Sequence, residues 1–331
     1  ASSTARVGSY RMKKLIMAWA LLWATPLLAS PTVPFAEYVQ ALKQEAKAQG
    51  ISASTVDASF VDVQFIERAV KNDRNQPEFK LTLDTYLPRA VPDWKVRQAQ
   101  QLYRKHYALL QRIGAEYGVP PRYIVALWGI ETNFGKLTGK YSLISALSTL
   151  AYEGRREAFF KKELFAALRI IEQGHATPET LKGSWAGAMG QVQFMPSSFL
   201  AYAVDQDRDG RKDLWHSQAD VFASAAYYLQ QHGWKENENW ARRVRAPKDL
   251  DPALVGLTVS KPVSEWRALG VVNLDGSALP AVAQQASLVM PDDKEGRAYL
   301  AYDNYKALMG WNRSNYFVVA VGYLADRIVS K

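Results

Sequence analysis

Cysteine is absent from the chain. Its absence excludes disulfides, a thiolate nucleophile and any cysteine metal site. Stability must come from the core alone, in a reducing or an oxidising compartment. Histidine is nearly as scarce: His106, His175, His216 and His232 are scattered, without metal-site or triad spacing. Surface or packing roles are expected of all four. No Ser-His-Asp arrangement is signalled, and no phosphate-binding glycine loop. No basic run with interleaved aromatics argues for nucleic acid as a partner. There is no internal repeat and no low-complexity tract.

What is present suits a sizeable core. Of 331 residues, 48% are hydrophobic and 12% aromatic, which argues against disorder and allows two domains or one large one with an insertion. The 10 Trp and 17 Tyr are core material, and they also make flat stacking surfaces for sugars or bases. Net charge is +9. Met12-Lys13-Lys14 followed by LIMAWALLWATPLLA reads as an export signal: a basic start, an apolar run too short to span a bilayer comfortably, and a small residue for cleavage near Ala29. Ser30 stands where a lipoprotein would carry cysteine. Removal of residues 1–29 takes away Arg6, Arg11, Lys13 and Lys14 and leaves +5, a modest excess suited to an anionic polymer. An exported mature form beginning near Ser30 is expected.

Along that mature form the pattern is mostly helical. Phe35, Val39, Leu42 and Ala46 recur at helical spacing until Gly50. Thr55 is a candidate cap for a second helix. Residues 71–93 read as extended, punctuated by Pro77, Pro88 and Pro92. Helices are predicted over 94–117, 120–132, 142–152, 157–173, 178–183, 197–204 and 220–232. From 242 to 300 valine, proline, aspartate and glycine rise, with short strands expected at 254–259 and 270–274. Residues 301–331 return to a helical pattern. The expected fold class is mainly α (α+β). Its organisation is residues 1–29 as extension and signal, 30–241 as the helical body, 242–300 as a small β-rich insert, and 301–331 as a closing helical segment.

One stretch, PPRYIVALWGIETNFG at 120–135, places a carboxylate where a helix should be apolar. Pro120 and Pro121 suit a helix start. Counting back from Glu131 by three, four and seven gives Trp128, Leu127 and Ile124, which share its face. Burial on such a face disfavours the charged form and makes glutamate a general acid near neutral pH. The plainer alternative is a glutamate that snorkels or pairs with arginine. Gly135 fits a left-handed helix end. A second stretch, KGSWAGAMGQVQFMPSS at 182–198, combines Gly183, Gly187 and Gly190 with the neutral groups of Ser184, Gln191, Gln193 and Ser198. These suit sugar hydroxyls and acetamido groups, or else a tight packing turn.

In order and spacing, WGIETNFG, SALSTLAY, GSWAGAMGQVQFMPSS and the late GWNRSNY resemble the lytic murein transglycosylase B family over about residues 35–328. The resemblance implies a lysozyme-like helical core and cleavage of peptidoglycan glycan strands, with a 1,6-anhydro end left on N-acetylmuramic acid. It implies Glu131 as the catalytic residue, with Tyr86, Ser184, Gln193 and Asn312 contacting substrate and Tyr316 as a further contact. Trp311 stands where relatives carry Tyr, which suggests stacking there. Arg155 and Arg156 resemble a paired-arginine stretch, offset by one residue. It also implies a periplasmic location, glycan strands as partner, cell-wall synthesis proteins as possible associates and a monomeric state.

Most glycosidases use two carboxylates, and these motifs hold one. One suffices if the muramic C6 hydroxyl is the nucleophile and Glu131 acts first as acid, then as base. No cofactor is needed for that chemistry. Hydrolysis of the same glycan by water and a non-catalytic peptidoglycan-binding scaffold are the alternatives. Finally, DQDRDGRKDLWHSQAD at 205–220 places Asp205, Asp207, Asp209, Gly210 and Asp213 at EF-hand loop positions, with Arg211 offering its backbone carbonyl. His216 replaces the bidentate glutamate of that loop, and the resemblance suggests Asp220 as its substitute. All candidate ligands are hard oxygens, so a structural calcium ion is expected. The alternative is a solvated acidic turn in which Asp220 caps the next helix.

Overall fold

The helix Pro121–Thr132 lies inside a ring of other helices. In the computed structural model, which describes residues 33–76 and 81–329, it packs against Asp93–Lys105, Tyr107–Tyr117, Gln218–Gln231 and Asn315–Ile328. Enclosure on so many sides explains why its sequence is apolar nearly all round: every residue from Tyr123 to Gly129 is buried. Each fully buried aliphatic such as Ile124 or Leu127 contributes roughly 1.5–3 kcal/mol over an exposed one. The proposed export signal and Pro77 lie outside the described residues. No helix among the described residues is long and apolar enough to cross a membrane.

The surrounding helices follow their sequence patterns with four corrections. The described parts of 71–93 are largely helical rather than extended: helices run over Glu67–Arg74 and Leu83–Ala90, the second burying Leu83 and Leu87 while Pro88 sits in its last turn. The predicted helix over 94–117 is two, Asp93–Lys105 and Tyr107–Tyr117, broken at His106. Residues 178–183 form a turn and a short strand rather than a helix, because Lys182–Gly183 (β2) pairs with Tyr141–Ser142 (β1). Ser52, not Thr55, caps the helix Ala53–Ser59, its hydroxyl accepting the Thr55 N–H at 3.3 Å.

The β-rich region forms a five-stranded antiparallel sheet ordered β4-β6-β7-β3-β5. Its strands are Ala241–Arg245 (β3), Lys261–Pro262 (β4), Val272–Asn273 (β5), Gln285–Val289 (β6) and Ala298–Ala301 (β7). The strand expected at 254–259 reduces to an isolated bridge of Val255 with Leu288, after a 3-10 turn at Pro252–Leu254. The two-residue period sorts the faces. Val244, Ala298 and Leu300 face a separate small core around Trp266, whereas Val289, Tyr299 and Ala301 join the main helical core. The sheet is thereby anchored to the body along one face. The last two helices, Asp303–Trp311 and Asn315–Ile328, return the chain to the Glu131 helix.

Candidate active site

Glu131 sits one residue before the end of its helix, and the chain turns sharply after it. Asn133, Phe134 and Gly135 are all left-handed, at φ 50°, 61° and 85°. For Phe134 this backbone is strained and needs compensation. The compensation is visible: the Phe134 ring is buried and meets Trp128 edge-on at 5.5 Å. Thr132 Oγ1 accepts the Gly135 N–H at 2.9 Å and donates to the Gln191 carbonyl at 2.6 Å. The turn ties the Glu131 helix to the glycine-containing motif 59 residues on.

Gln191 is the hub of that tie, and it is unavailable to a ligand. Its side-chain carbonyl accepts from Trp128 Nε1 at 2.8 Å and Gln218 Nε2 at 3.1 Å, and its amide donates to the Trp215 carbonyl at 2.7 Å. The sugar-binding role considered for Gln191 is therefore replaced by a structural one. Gly190 has φ +71°, and a Cβ there would lie 2.6 Å from the Leu214 carbonyl oxygen, so glycine is required on both counts. Ser184 Oγ accepts the N–H groups of Ala186 (3.3 Å) and Ala188 (3.0 Å), fixing the loop while the residue stays partly exposed. Gln193, left-handed at φ 54°, donates its amide to the Thr138 and Gly190 carbonyls at 3.1 and 2.9 Å. Its side-chain oxygen makes no hydrogen bond among the described residues.

Among the described residues, the carboxyl of Glu131 accepts one bond, from Trp311 Nε1 at 2.9 Å. Trp311 was expected to stack on a ligand; its indole is instead the donor to the acid. Its ring is seated by Phe194 and Tyr228, with centroids at 5.3 and 4.8 Å, and His232 stacks on Tyr228 at 3.9 Å. In this partly buried setting the Glu131 pKa rises from 4.5 to about 7. Burial is the main cause and the Trp311 bond opposes it; no charged neighbour figures among the causes. The arginine pairing considered as the plainer reading does not occur among the described residues. Trp311 and Glu131 are 180 positions apart, so only the sequence GWN marked the donor, without its direction.

Asn312 directly follows Trp311, exposed at the end of its helix. Tyr86 and Tyr316 meet edge-on at 5.3 Å on neighbouring helices. The Tyr316 hydroxyl donates to the Leu81 carbonyl at 2.7 Å and also bonds Asp292, so it is engaged internally. Burial first, and then Asp292, push its pKa up to about 12. Arg155 is paired with Asp73 and Glu153, and Arg156 lies over Phe159 at 4.1 Å. The histidines pack as expected: His106 meets Trp128 and Phe222 edge-on, and His175 Nδ1 accepts the Lys212 N–H.

The acidic loop brings together Asp205, Asp207, Asp209 and Asp220, with one oxygen of each within 4.8 Å of the others. Asp213 is not part of this group. Its Oδ1 accepts from the Trp215 and His216 N–H groups, and its Oδ2 lies 3.7 Å from the Arg211 guanidinium. Asp213, at the ninth position of the loop, thus spends its carboxylate on local turn bonds in this structure. Asp220 does not cap its helix; Ser217 does. Asp220 is fully buried, accepts three backbone N–H groups and has its pKa raised, mainly by burial. Four hard carboxylate donors around one point fit a calcium ion.

Fold and site together define a helical framework that holds the Glu131 carboxyl, perturbed by burial, near a helix end beside a glycine-containing loop. The chain belongs to the transglycosylase SLT domain family, whose model matches residues 34–326. It is 34% identical to the membrane-bound lytic murein transglycosylase B of Escherichia coli over 240 residues, which is 72% of this chain and 64% of that protein. The matched region thus spans just under two thirds of that relative's length. The crystal structure of SltB3 from Pseudomonas aeruginosa in complex with NAG-anhNAM-pentapeptide is similar at TM-score 0.85 and 41% identity, covering 88% of this chain and 78% of that one. Escherichia coli Slt35 in complex with calcium is similar at TM-score 0.76 and 28% identity, covering 88% and 92%. The mainly helical fold with its small antiparallel sheet is the lysozyme-like one of lytic transglycosylases.

Proposed function

We propose that this chain is a peptidoglycan lytic transglycosylase that cuts the β-1,4 bond between N-acetylmuramic acid and N-acetylglucosamine. The observation that carries the proposal is the Glu131 carboxyl at about pKa 7, held by Trp311 with no charged neighbour among the causes. A group with that pKa holds its proton near neutrality and gives it up readily, as a general acid must. Glu131 protonates the departing glycosidic oxygen while the C1–O bond breaks. The substrate's 2-acetamido group stabilises the positive anomeric centre. The muramic C6 hydroxyl then bonds to C1 and surrenders its proton to the Glu131 carboxylate, which restores the acid. No water is consumed and no metal takes part.

Ser184, Gln193 and Asn312 orient the sugar, with Tyr86 and Tyr316 farther along the strand. The family membership and the SltB3 complex with a NAG-anhNAM-pentapeptide support this reading. Asp205, Asp207, Asp209 and Asp220 hold a structural calcium ion, with Asp213 and the Arg211 carbonyl as further ligands. The calcium complex of Slt35 supports that assignment. The organisation into a helical body over 30–241, an insert over 242–300 and a closing segment over 301–331 fits the two separate cores. Export to the periplasm, a monomeric state and association with cell-wall synthesis proteins complete the proposal.

The test is Glu131→Gln, which keeps the shape and removes the acid. Loss of about 10²–10⁴-fold in solubilisation of sacculi is expected, the usual worth of a general acid. Solubilisation at the parent rate would leave a binding scaffold as the better account.

A further inference from the structure

A second chemically distinct feature lies where the sheet meets the helical body. Strands β3 and β7 pair so that Arg243 faces Tyr299 and Val244 faces Ala298. The face holding Val244 is sealed in the small core, so Arg243 and Arg245 project on the other face. There a cavity of about 360 Å³ opens against the helix Leu83–Ala90. Its cationic lining is Arg243, Arg245, Lys248, Lys294 and Arg297.

Two acids, Asp84 and Glu295, also line it. Asp84 is consumed by Arg297, whose Nε donates to it at 2.7 Å. Of the lining cations, only Arg297 is in an ion pair among the described residues. Among the described residues, four lining cations therefore face one lining acid that is in no ion pair, with Asp275 acting on Arg245 from outside the lining. Moreover, Arg243 Nε is buried with no hydrogen-bond partner among the described residues. A buried, unmatched donor on a charged group is costly. An anionic oxygen in the cavity would remove that cost and match the guanidinium fork.

We propose that this cavity is an oxyanion-binding site that takes a carboxylate or phosphate group. Its position suggests one source. Asp84 lies in the first turn of the helix that carries Tyr86, and Met290 in the cavity wall is two residues from Asp292, which bonds both Leu83 N and Tyr316. A carboxylate of a stem peptide on the glycan strand would reach it from the Tyr86 side. That source rests on the glycan-strand reading above; the oxyanion site itself does not.

Calorimetric titration with inorganic phosphate and, separately, with free stem pentapeptide distinguishes the sources. Arg243→Gln is expected to weaken whichever probe binds by tenfold or more. The exposed pair Arg245→Gln with Lys248→Gln serves as a second variant if Arg243→Gln does not fold. Lys161→Gln with Lys162→Gln, remote basic residues, should leave binding unchanged. Phosphate binding alone identifies a free-oxyanion site, and pentapeptide binding lost in the same variants identifies the substrate's peptide. Binding of neither probe to the parent, or binding equally sensitive to the Lys161/Lys162 pair, overturns the site. None of these readouts depends on glycan cleavage.

Discussion

Glu131→Gln isolates the energetic cost of a charged carboxylate at this site, independently of catalysis. In the fold the group has a pKa of about 7, against 4.5 for an ordinary glutamate. Between those values the folded chain holds a proton that the unfolded chain has released. Stability therefore falls as pH rises, and this contribution is full below 4.5 and gone above about 7. At about 1.4 kcal/mol per decade of proton affinity, the loss amounts to roughly 3 kcal/mol. Glutamine does not titrate, and its amide oxygen can still accept from Trp311. Melting temperatures of parent and variant are measured from about pH 4 to about pH 9, and the difference at each pH cancels the other titrating groups. The variant should gain on the parent by roughly 3 kcal/mol across that interval, on the order of 5 °C for a chain of this size. A difference that stays constant with pH would refute the burial argument for Glu131.

Trp311→Phe keeps the ring packing against Phe194 and Tyr228 but removes the donor that favours ionised Glu131. The alkaline limb of the pH–rate profile should then move upward from about 7, and a limb that moves downward contradicts the assigned role. Calcium added after chelation should raise the melting temperature, by an amount corresponding to about 2.7 kcal/mol at a hundredfold excess over Kd. Asp209→Asn should weaken that response, and an unchanged response would remove Asp209 from the ligand set. Gly322→Ala would set a Cβ 2.1 Å from Trp240, whose Nε1 is anchored on Asp326 at 3.0 Å. Overpacking of this kind costs about 1–3 kcal/mol; chemical denaturation showing no loss would mean the ring moves freely.

The Glu131 helix was legible because its signals are local. A proline start, an unbroken apolar run and a single carboxylate state both the enclosure and the perturbed acid. The β region was legible as a compositional change, yet its strands were not, because β4, β5 and β7 are defined by partners far along the chain. Residues 71–93 misled because three prolines suggested extension, whereas the burial of Leu83 and Leu87 decides for helix. In the second motif the sequence showed which polar groups exist but not how they are spent. Gln191 looked as available as Gln193, and only the approach of Trp128, Gln218 and Trp215 separates them. The direction of the Trp311 N–H is likewise a tertiary fact. The acidic loop gave its aspartates by spacing, but the turn bonds that Asp213 makes are not revealed by spacing.

The central claim is that the nucleophile belongs to the substrate, so that Glu131 alone serves as acid and then base. Mass analysis of the products released from purified sacculi tests it most directly. Transglycosylation adds no water per cut, and the account predicts muropeptides ending in 1,6-anhydro-N-acetylmuramic acid. Products each heavier by one water, with reducing muramic ends, would contradict it and identify a hydrolase.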